Sequence, residues 1–262
     1  MAIIHPTAIV DPRAILGDDV EVGPFAIVEA DVTIGDRTRL GPHSYLMSGT
    51  SLGTDNEISY GVVLGGGAQH RAGADDTRLI IGSHNVIREG VTIHRASLSG
   101  GATQVGDHNY FMATSHLGHD VTVGNYVTLA NVAMVGGHAR IGDHAVIGGN
   151  TAIHQRVTIG EYAMVGGMSG ANQDVPPFSM VHGVPAKLIG ENSVGLQRAG
   201  FDAPDRALIR RALRRIWAGK LSITVALEQL TAEYPDPPAH LQRLLDFAHA
   251  MQAGRYGRQL EH

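Results

Sequence analysis

Between Val105 and Gly170 the chain repeats every six residues, and no other feature restricts its fold as tightly. Large apolar side chains fall at Val105, Phe111, Leu117, Val123, Leu129, Val135, Ile141, Ile147, Ile153, Ile159 and Val165. Glycine follows most of them, as at Gly118, Gly136, Gly148 and Gly166. Four places after each comes a small or β-branched residue, such as Ser115, Val121, Ala133 or Ala145. A period of six fits neither the 3.6-residue turn of a helix nor the two-residue alternation of a simple strand. It fits short strands joined by tight turns around a triangular prism. The aliphatic fills the interior, the small residue fits a corner, and glycine lets the backbone bend. The predicted fold is a β-solenoid, a parallel β-helix of hexapeptide repeats.

Three sides of six residues make about 18 residues per coil, so residues that far apart stack. His119, Gly137 and Gln155 form one such column, with His138 and His154 one place off it and His116 three residues from His119. A second column, Ala113, Asn131, Gly149 and Gly167, is nearly free of bulk and leaves a groove across several coils. Imidazoles beside a smooth groove mark the expected place of the chemistry.

The array accounts for 34 glycines and an aromatic content of only 5%. Cysteine is absent, which excludes disulfides and thiolate metal sites. The start, Met1-Ala2-Ile3-Ile4-His5-Pro6, lacks the basic-then-apolar order of a signal peptide, and no apolar run is long enough to span a bilayer. A soluble, cytoplasmic protein is expected, with no integral membrane segment and no nucleic-acid partner. Residues 1–190 carry ten Lys+Arg against seventeen Asp+Glu, and residues 191–262 carry ten against eight. A basic C-terminal part on an acidic body suggests docking of something negative.

The repeat starts at once, at Ile4, Val10 and Leu16, and gives a β-helical domain over 1–187 with loop insertions at about 65–78 and 96–104. Long insertions in a solenoid serve binding, since the coils already supply the core. Residues 188–262 read as a small α-helical C-terminal domain of three helices. The first starts near Pro204 behind an Asp202 cap and carries Arg206, Arg210, Arg211, Arg214 and Arg215. The second runs from Ser222 to about Glu233, and the third from about Pro238 to Ala253.

Several segments together are specific: Val91-Thr92-Ile93-His94-Arg95, His116-Leu117-Gly118-His119-Asp120, Gly136-Gly137-His138, His154-Gln155, Gln173-Asp174-Val175-Pro176-Pro177 and Gly195-Leu196-Gln197-Arg198-Ala199-Gly200-Phe201. In these the chain resembles UDP-N-acetylglucosamine O-acyltransferases, which open lipid A synthesis, over nearly its whole length. The resemblance implies left-handed β-helices in a homotrimer, with active sites between subunits. It implies transfer of a 3-hydroxyacyl chain from acyl carrier protein to the sugar 3-hydroxyl, with the carrier thioester as donor and no cofactor or metal. His119 matches the general base, Asp120 the carboxylate that orients it, and Gly137 the backbone oxyanion donor. Neutral imidazole suits removal of a hydroxyl proton near pH 7. His116, His138 and His154 match positions that contact or orient the sugar, and Gln155, Asn192 and Arg198 match positions that hold the nucleotide. Gly167, beside Gly149 in the groove, matches the position that sets acyl-chain length. The five helical arginines are the expected carrier-protein dock.

Departures fall on the acceptor side. Where the family has Gln-Asp-x-Lys the chain reads Gln69-His70-Arg71-Ala72, so Arg71 stands in for the lysine and the aspartate has no counterpart. Val194 replaces a glutamate and Ala199 an arginine. The alternative is therefore a related transferase acting on another nucleotide sugar, including an amine acceptor. A zinc-dependent, carbonic-anhydrase-like β-helix using His116 and His119 is a remote second alternative, and a non-catalytic scaffold a third. His5, His43, His84, His108 and His144 read as turn residues on the solvated face.

Overall fold

The computed structural model describes residues 1–262. Short strands recur around a three-sided prism and pair in parallel from coil to coil. One side is an eleven-stranded sheet beginning at Ile3–Ile4, the next a nine-stranded sheet beginning at Ile9–Val10, and the third an eight-stranded sheet with Ile15–Leu16 at its edge. The register is that of the sequence period: Tyr110 pairs with Thr128, His116 with Met134, and Thr122 with Arg140. In each two-residue strand the first side chain points out and the second in, as with half-buried His116 and fully buried Leu117. The inward residues merge into one cluster of 38 buried apolar side chains running the length of the prism. Each fully buried aliphatic contributes about 1.5–3 kcal/mol toward offsetting the ordering of its coil.

The corners differ from expectation in which residue bends. Between Val105 and Gly170 left-handed φ falls not on the glycine but on the third residue after the inward apolar one, as at Asp120 (φ 60°), His138 (59°), Asn150 (53°) and Arg156 (61°), whereas Gly49, Gly61 and Gly90 hold that position in earlier coils. Asp, Asn and His tolerate this region best among residues with a side chain. The glycine serves close approach instead. A Cβ on Gly136 would lie 2.7 Å from the backbone nitrogen of Gln155 in the next coil.

His84, His108 and His144 sit at such left-handed turns, the first two exposed and the third partly buried. With Tyr126 and Tyr162 they stack face to face along one corner, with ring centroids 4.5–4.9 Å apart. That spacing is the strand-to-strand distance of a sheet, so the coils set the stack. At this corner, too, each coil caps the one before. Asn125 Oδ1 accepts the N–H of Asp107 at 2.7 Å, and Asp143 Oδ1 accepts that of Asn125 at 2.8 Å.

Two boundaries shift. The first loop projects between strands Val63–Gly66 and Arg78–Ile81, close to expectation. The second ends at Gly101 rather than 104, because Ala102–Val105 pairs in full with Arg78–Ile81. The β part runs on to Glu191 rather than ending at 187, because Lys187–Glu191 turns back antiparallel onto Ser179–His182. Four α-helices follow instead of three: α1 (Ser193–Arg198), α2 (Ala203–Leu213, continued by a π-helical turn over Arg214–Ala218), α3 (Ile223–Glu233) and α4 (Ala239–Ala253). The six residues of α1 are too few to show a period. Asp202 caps α2 through the Asp205 N–H at 2.8 Å, and Ser222 caps α3. The helices enclose a second core of 13 residues that includes Phe178 from the coil end. No helix is long and apolar enough to cross a membrane.

Candidate active site

His119 stands at the corner between the nine- and eight-stranded sheets. Its Nδ1 is 2.6 Å from Asp120 Oδ2. The left-handed turn at Asp120 is what folds this carboxylate back onto its own neighbour. The Ser97 N–H reaches both Asp120 oxygens at 3.1 Å, and the Asp120 N–H donates to Thr103 Oγ1 at 2.8 Å. Burial alone would push the Asp120 carboxyl up, but hydrogen bonds from His119 and Ser97 outweigh it and hold the group below the usual carboxylate range. An ionised Asp120 keeps the proton on His119 Nδ1 and leaves Nε2 as the free base.

His138 packs edge-on against His119, centroids 5.1 Å apart, with Nε2 3.6 Å from Asp120 Oδ2. Burial holds its pKa below the ordinary histidine value, partly offset by Asp120. His116 is also lowered, by burial first and by His94 second, and its Nδ1 is 2.8 Å from Thr92 Oγ1. Gly137 lies directly over the His119 ring: a Cβ there would meet His119 Nε2 at 2.7 Å. At the opposite corner the equivalent side chain caps the N–H of the preceding coil. Here there is no side chain, and the Gly137 N–H makes no hydrogen bond within the chain. A base and an unused backbone donor therefore share one spot.

That spot opens on a concavity of ≈ 430 Å³ floored by the nine-stranded sheet and lined by His116, His119, Gly137, His154, Gln155 and Gln69. Beyond it the outward residues shrink to Ala152 and Gly170, and a second hollow of ≈ 350 Å³ continues to Val184 and Pro185. Gly149 and Gly167 lie along the far corner of the same sheet, where an added Cβ would come within 3.2–3.3 Å of backbone oxygens.

Sequence reasoning missed four contributors. The first loop brings Gln69 into the concavity and sets His70 edge-on to His119 at 5.6 Å. His94 binds the Gly67 carbonyl at 2.7 Å and packs on His116, and Ser97 ties the second loop to Asp120. Gln69, His70 and Ser97 lie in loops, which carry no period, whereas His94 ends the strand Thr92–His94 and stands in one of the segments that carry the resemblance. Other expected residues lie elsewhere in the chain. Arg71 is exposed and lies outside the concavity. Asn192 is engaged in the fold: its Oδ1 caps α1 through the Gly195 N–H, and its Nδ2 donates to the Tyr162 carbonyl. Arg198 is exposed on α1. Of the basic set on α2 and its π turn, Arg210 pairs with Glu191 at 2.8 Å and Arg215 with Glu233 at 2.5 Å, while Arg206, Arg211 and Arg214 make no ion pair.

His119, Asp120 and His138 place three potential metal-ligand atoms within 4.8 Å of one another. The 2.6 Å separation of His119 and Asp120 matches a shared proton. Two zinc ligands at about 2.0–2.2 Å from a tetrahedral ion would stand well over 3 Å apart.

A parallel β-helix with a carboxylate-oriented imidazole and a bare glycine amide on one open face defines a hexapeptide-repeat acyltransferase. The comparisons narrow this class. A family model described as UDP N-acetylglucosamine O-acyltransferase, domain 2, matches residues 174–256. An acyl-[acyl-carrier-protein]–UDP-N-acetylglucosamine O-acyltransferase of Halorhodospira halophila is 46% identical over 97% of this chain and 99% of its own. One of Paracidovorax citrulli is 50% identical over 94% and 96%. The solved structure of LpxA from Acinetobacter baumannii superposes with a TM-score of 0.90 at 37% identity, covering 94% of this chain and 96% of that one. The chain belongs to the acyl-[acyl-carrier-protein]–UDP-N-acetylglucosamine O-acyltransferase family, and its prism is the left-handed parallel β-helix of that family.

Proposed function

We propose that the protein moves a 3-hydroxyacyl chain from acyl carrier protein to the 3-hydroxyl of UDP-N-acetylglucosamine, the opening step of lipid A synthesis. The observation that carries this reading is the His119–Asp120 pair at 2.6 Å beside the unpaired Gly137 N–H. His119 Nε2 takes the hydroxyl proton as the sugar oxygen attacks the thioester carbonyl. The carbonyl oxygen becomes an oxyanion, and the Gly137 N–H donates to it. Collapse expels the carrier thiolate, which regains the proton from imidazolium. Asp120 holds the ring and stabilises its charged form. The donor arrives already activated, so the chemistry calls for no cofactor.

His116, His138, His154 and Gln155 face the acceptor, and the small-residue floor toward Gly170, flanked by Gly149 and Gly167, takes the acyl chain. Arg206, Arg211 and Arg214 offer free cations to an acidic carrier protein. Arg71, Asn192 and Arg198 reach substrate only if a neighbouring copy completes the site, which is the role we assign to a homotrimer. Nucleotide sugars and carrier proteins place the reaction in the cytoplasm.

The test is mass-spectrometric detection of acyl transfer from a mixed set of 3-hydroxyacyl carrier proteins to UDP-N-acetylglucosamine, with His119→Ala alongside. Product from the wild type alone is expected. Folded wild-type protein that yields none would move the acceptor to another nucleotide sugar, the side on which His70, Val194 and Ala199 depart.

A further inference from the structure

The tail after α4, residues 254–262, folds back against the coils below the site. The Asp174 N–H donates to the Gly257 carbonyl at 2.8 Å. Asp174 Oδ2 accepts the Gln259 N–H at 2.8 Å, and its Oδ1 accepts the Thr158 N–H of the coil at 2.7 Å. Within the tail, the Arg258 N–H donates to the Arg255 carbonyl at 2.9 Å and the Arg255 N–H to the Glu261 carbonyl at 2.8 Å. This knot delivers one side chain inward. The Arg258 side chain is only 12% exposed, with Nη2 3.6 Å from Glu261 and Nη1 2.6 Å from Nδ1 of His154. The mechanism above makes no use of this arginine.

We propose that Arg258 is a positioning residue that sets the tautomer of His154. A guanidinium can only donate. At 2.6 Å it requires a lone pair on Nδ1, so the ring proton sits on Nε2. The Gln155 carbonyl lies 2.9 Å from the same Nδ1 and would favour the opposite tautomer, with Nδ1–H donating to it. The fixed charge of Arg258 decides the contest, because Nδ1–H would face a guanidinium N–H. His154 then offers the concavity a donor, Nε2–H, suited to a sugar or phosphate oxygen. Without Arg258 the ring turns to the Gln155 carbonyl and offers a lone pair instead. The inference rests on the reading of His154 as an acceptor contact.

Two measurements on the full-length protein separate the claims. In ¹⁵N-histidine-labelled protein, with the His154 signal assigned from His154→Gln, two-bond ring correlations report the Nε2–H tautomer for wild type. Arg258→Ala switches it to Nδ1–H, and Arg258→Lys restores part of the original population. In kinetics, Arg258→Ala raises KM for UDP-N-acetylglucosamine about tenfold with kcat within about threefold, and His154→Ala with Arg258→Ala is no worse than His154→Ala alone. An unchanged tautomer in Arg258→Ala, or additive losses in the double variant, overturns the proposal. A switched tautomer together with an unaltered KM in His154→Ala would instead remove His154 from the acceptor site, and with it the functional meaning of the switch.

Discussion

A single methyl group at Gly137 tests the arrangement of the site. The Cβ of an alanine there would lie 2.7 Å from His119 Nε2, 2.8 Å from Cε1 and 3.2 Å from Cδ2. Ordinary contacts begin near about 3.4 Å, so the overlap is about 0.6–0.7 Å. All three close atoms belong to one ring, and Gly137 is not among the left-handed glycines, so the backbone itself accepts alanine. The imidazole must move, and its hydrogen bond to Asp120 must stretch or break. A displacement approaching 1 Å costs about 10²-fold in rate, and complete loss of a general base costs about 10²–10⁴-fold. Gly137→Ala should therefore lower kcat/KM by at least about 100-fold, or about 2.7 kcal/mol of transition-state stabilisation. Stability should hold or rise, since alanine loses less chain entropy on folding than glycine. Acyl-transfer kinetics and a thermal melt read both quantities. In a His119→Ala background the methyl has room, so Gly137→Ala should add no further loss. Near-wild-type activity of Gly137→Ala refutes the crowding argument. A full loss that persists without the imidazole would instead assign Gly137 to oxyanion geometry alone.

Leu129, fully buried and stacked between Phe111 and Ile147, should cost about 2–5 kcal/mol as Leu129→Ala; a denaturant midpoint shift worth under 1 kcal/mol would mean that the prism relaxes into the cavity. Arg211→Glu with Arg214→Glu should raise KM for acyl carrier protein, less so at high salt, and leave KM for the nucleotide sugar unchanged; equal carrier kinetics would remove the dock from these residues. Gly167→Met should shift product toward shorter acyl chains in the mixed-donor assay, whereas an unchanged product profile would place the acyl path elsewhere. Burial pushes the Asp174 carboxyl up to about 6 from 3.8, against the backbone hydrogen bonds it accepts. Between those values the folded state binds the proton more readily than the unfolded chain, so this group's contribution falls as pH rises from about 4 to 6, by on the order of 3 kcal/mol. The wild-type melting temperature should therefore decline relative to Asp174→Asn across that window, and parallel curves would refute the shift.

The sequence showed the prism because a solenoid writes its interior into a strict period. Leu117, Val135 and Ile153 could be assigned inward, and the pairing of His116 with Met134 followed by counting. The same counting put His119 next to Gly137. What it could not show was direction. Glycine was read as the residue that lets the backbone bend, whereas close approach between coils is the stronger reason for glycine here, and the left-handed turn falls on a later residue. Gln69, His70 and Ser97 were missed because loop chain has no period, and His94, which ends the strand Thr92–His94, because its contacts come from other coils; Ser97 reaches Asp120 across 23 residues. The i, i+4 spacing of Arg206, Arg210 and Arg214 places them on a shared face, but it could not show that Glu191 on the returning strand pairs with Arg210.

One geometric device builds a ring stack at one corner and the candidate site at another. Coils spaced by a sheet's strand separation hold His84 over His108 with centroids 4.7 Å apart, and His119 beside His138 at 5.1 Å. The first pair is parallel at 4° and only packs; the second is perpendicular at 88°. The difference lies in the neighbours. Asp120 occupies the left-handed position next to His119 and draws the ring edge toward itself, and His138 occupies the same position one coil on. Gly137 removes the side chain that would otherwise fill the space over the ring or cap the amide below, as Asn125 and Asp143 do at the stacking corner. Aspartate after the histidine and glycine one coil later are what distinguish this corner from the stacking corner. Placing that pair on another corner of the same prism, for example Asp at His108 and Gly at Asn125 beside a histidine at Asp107, should reproduce a 2.6–2.8 Å imidazole–carboxylate bond, observable in a crystal structure of the variant. A ring that stays stacked on its neighbours would mean that the two loops, through Ser97, are also required.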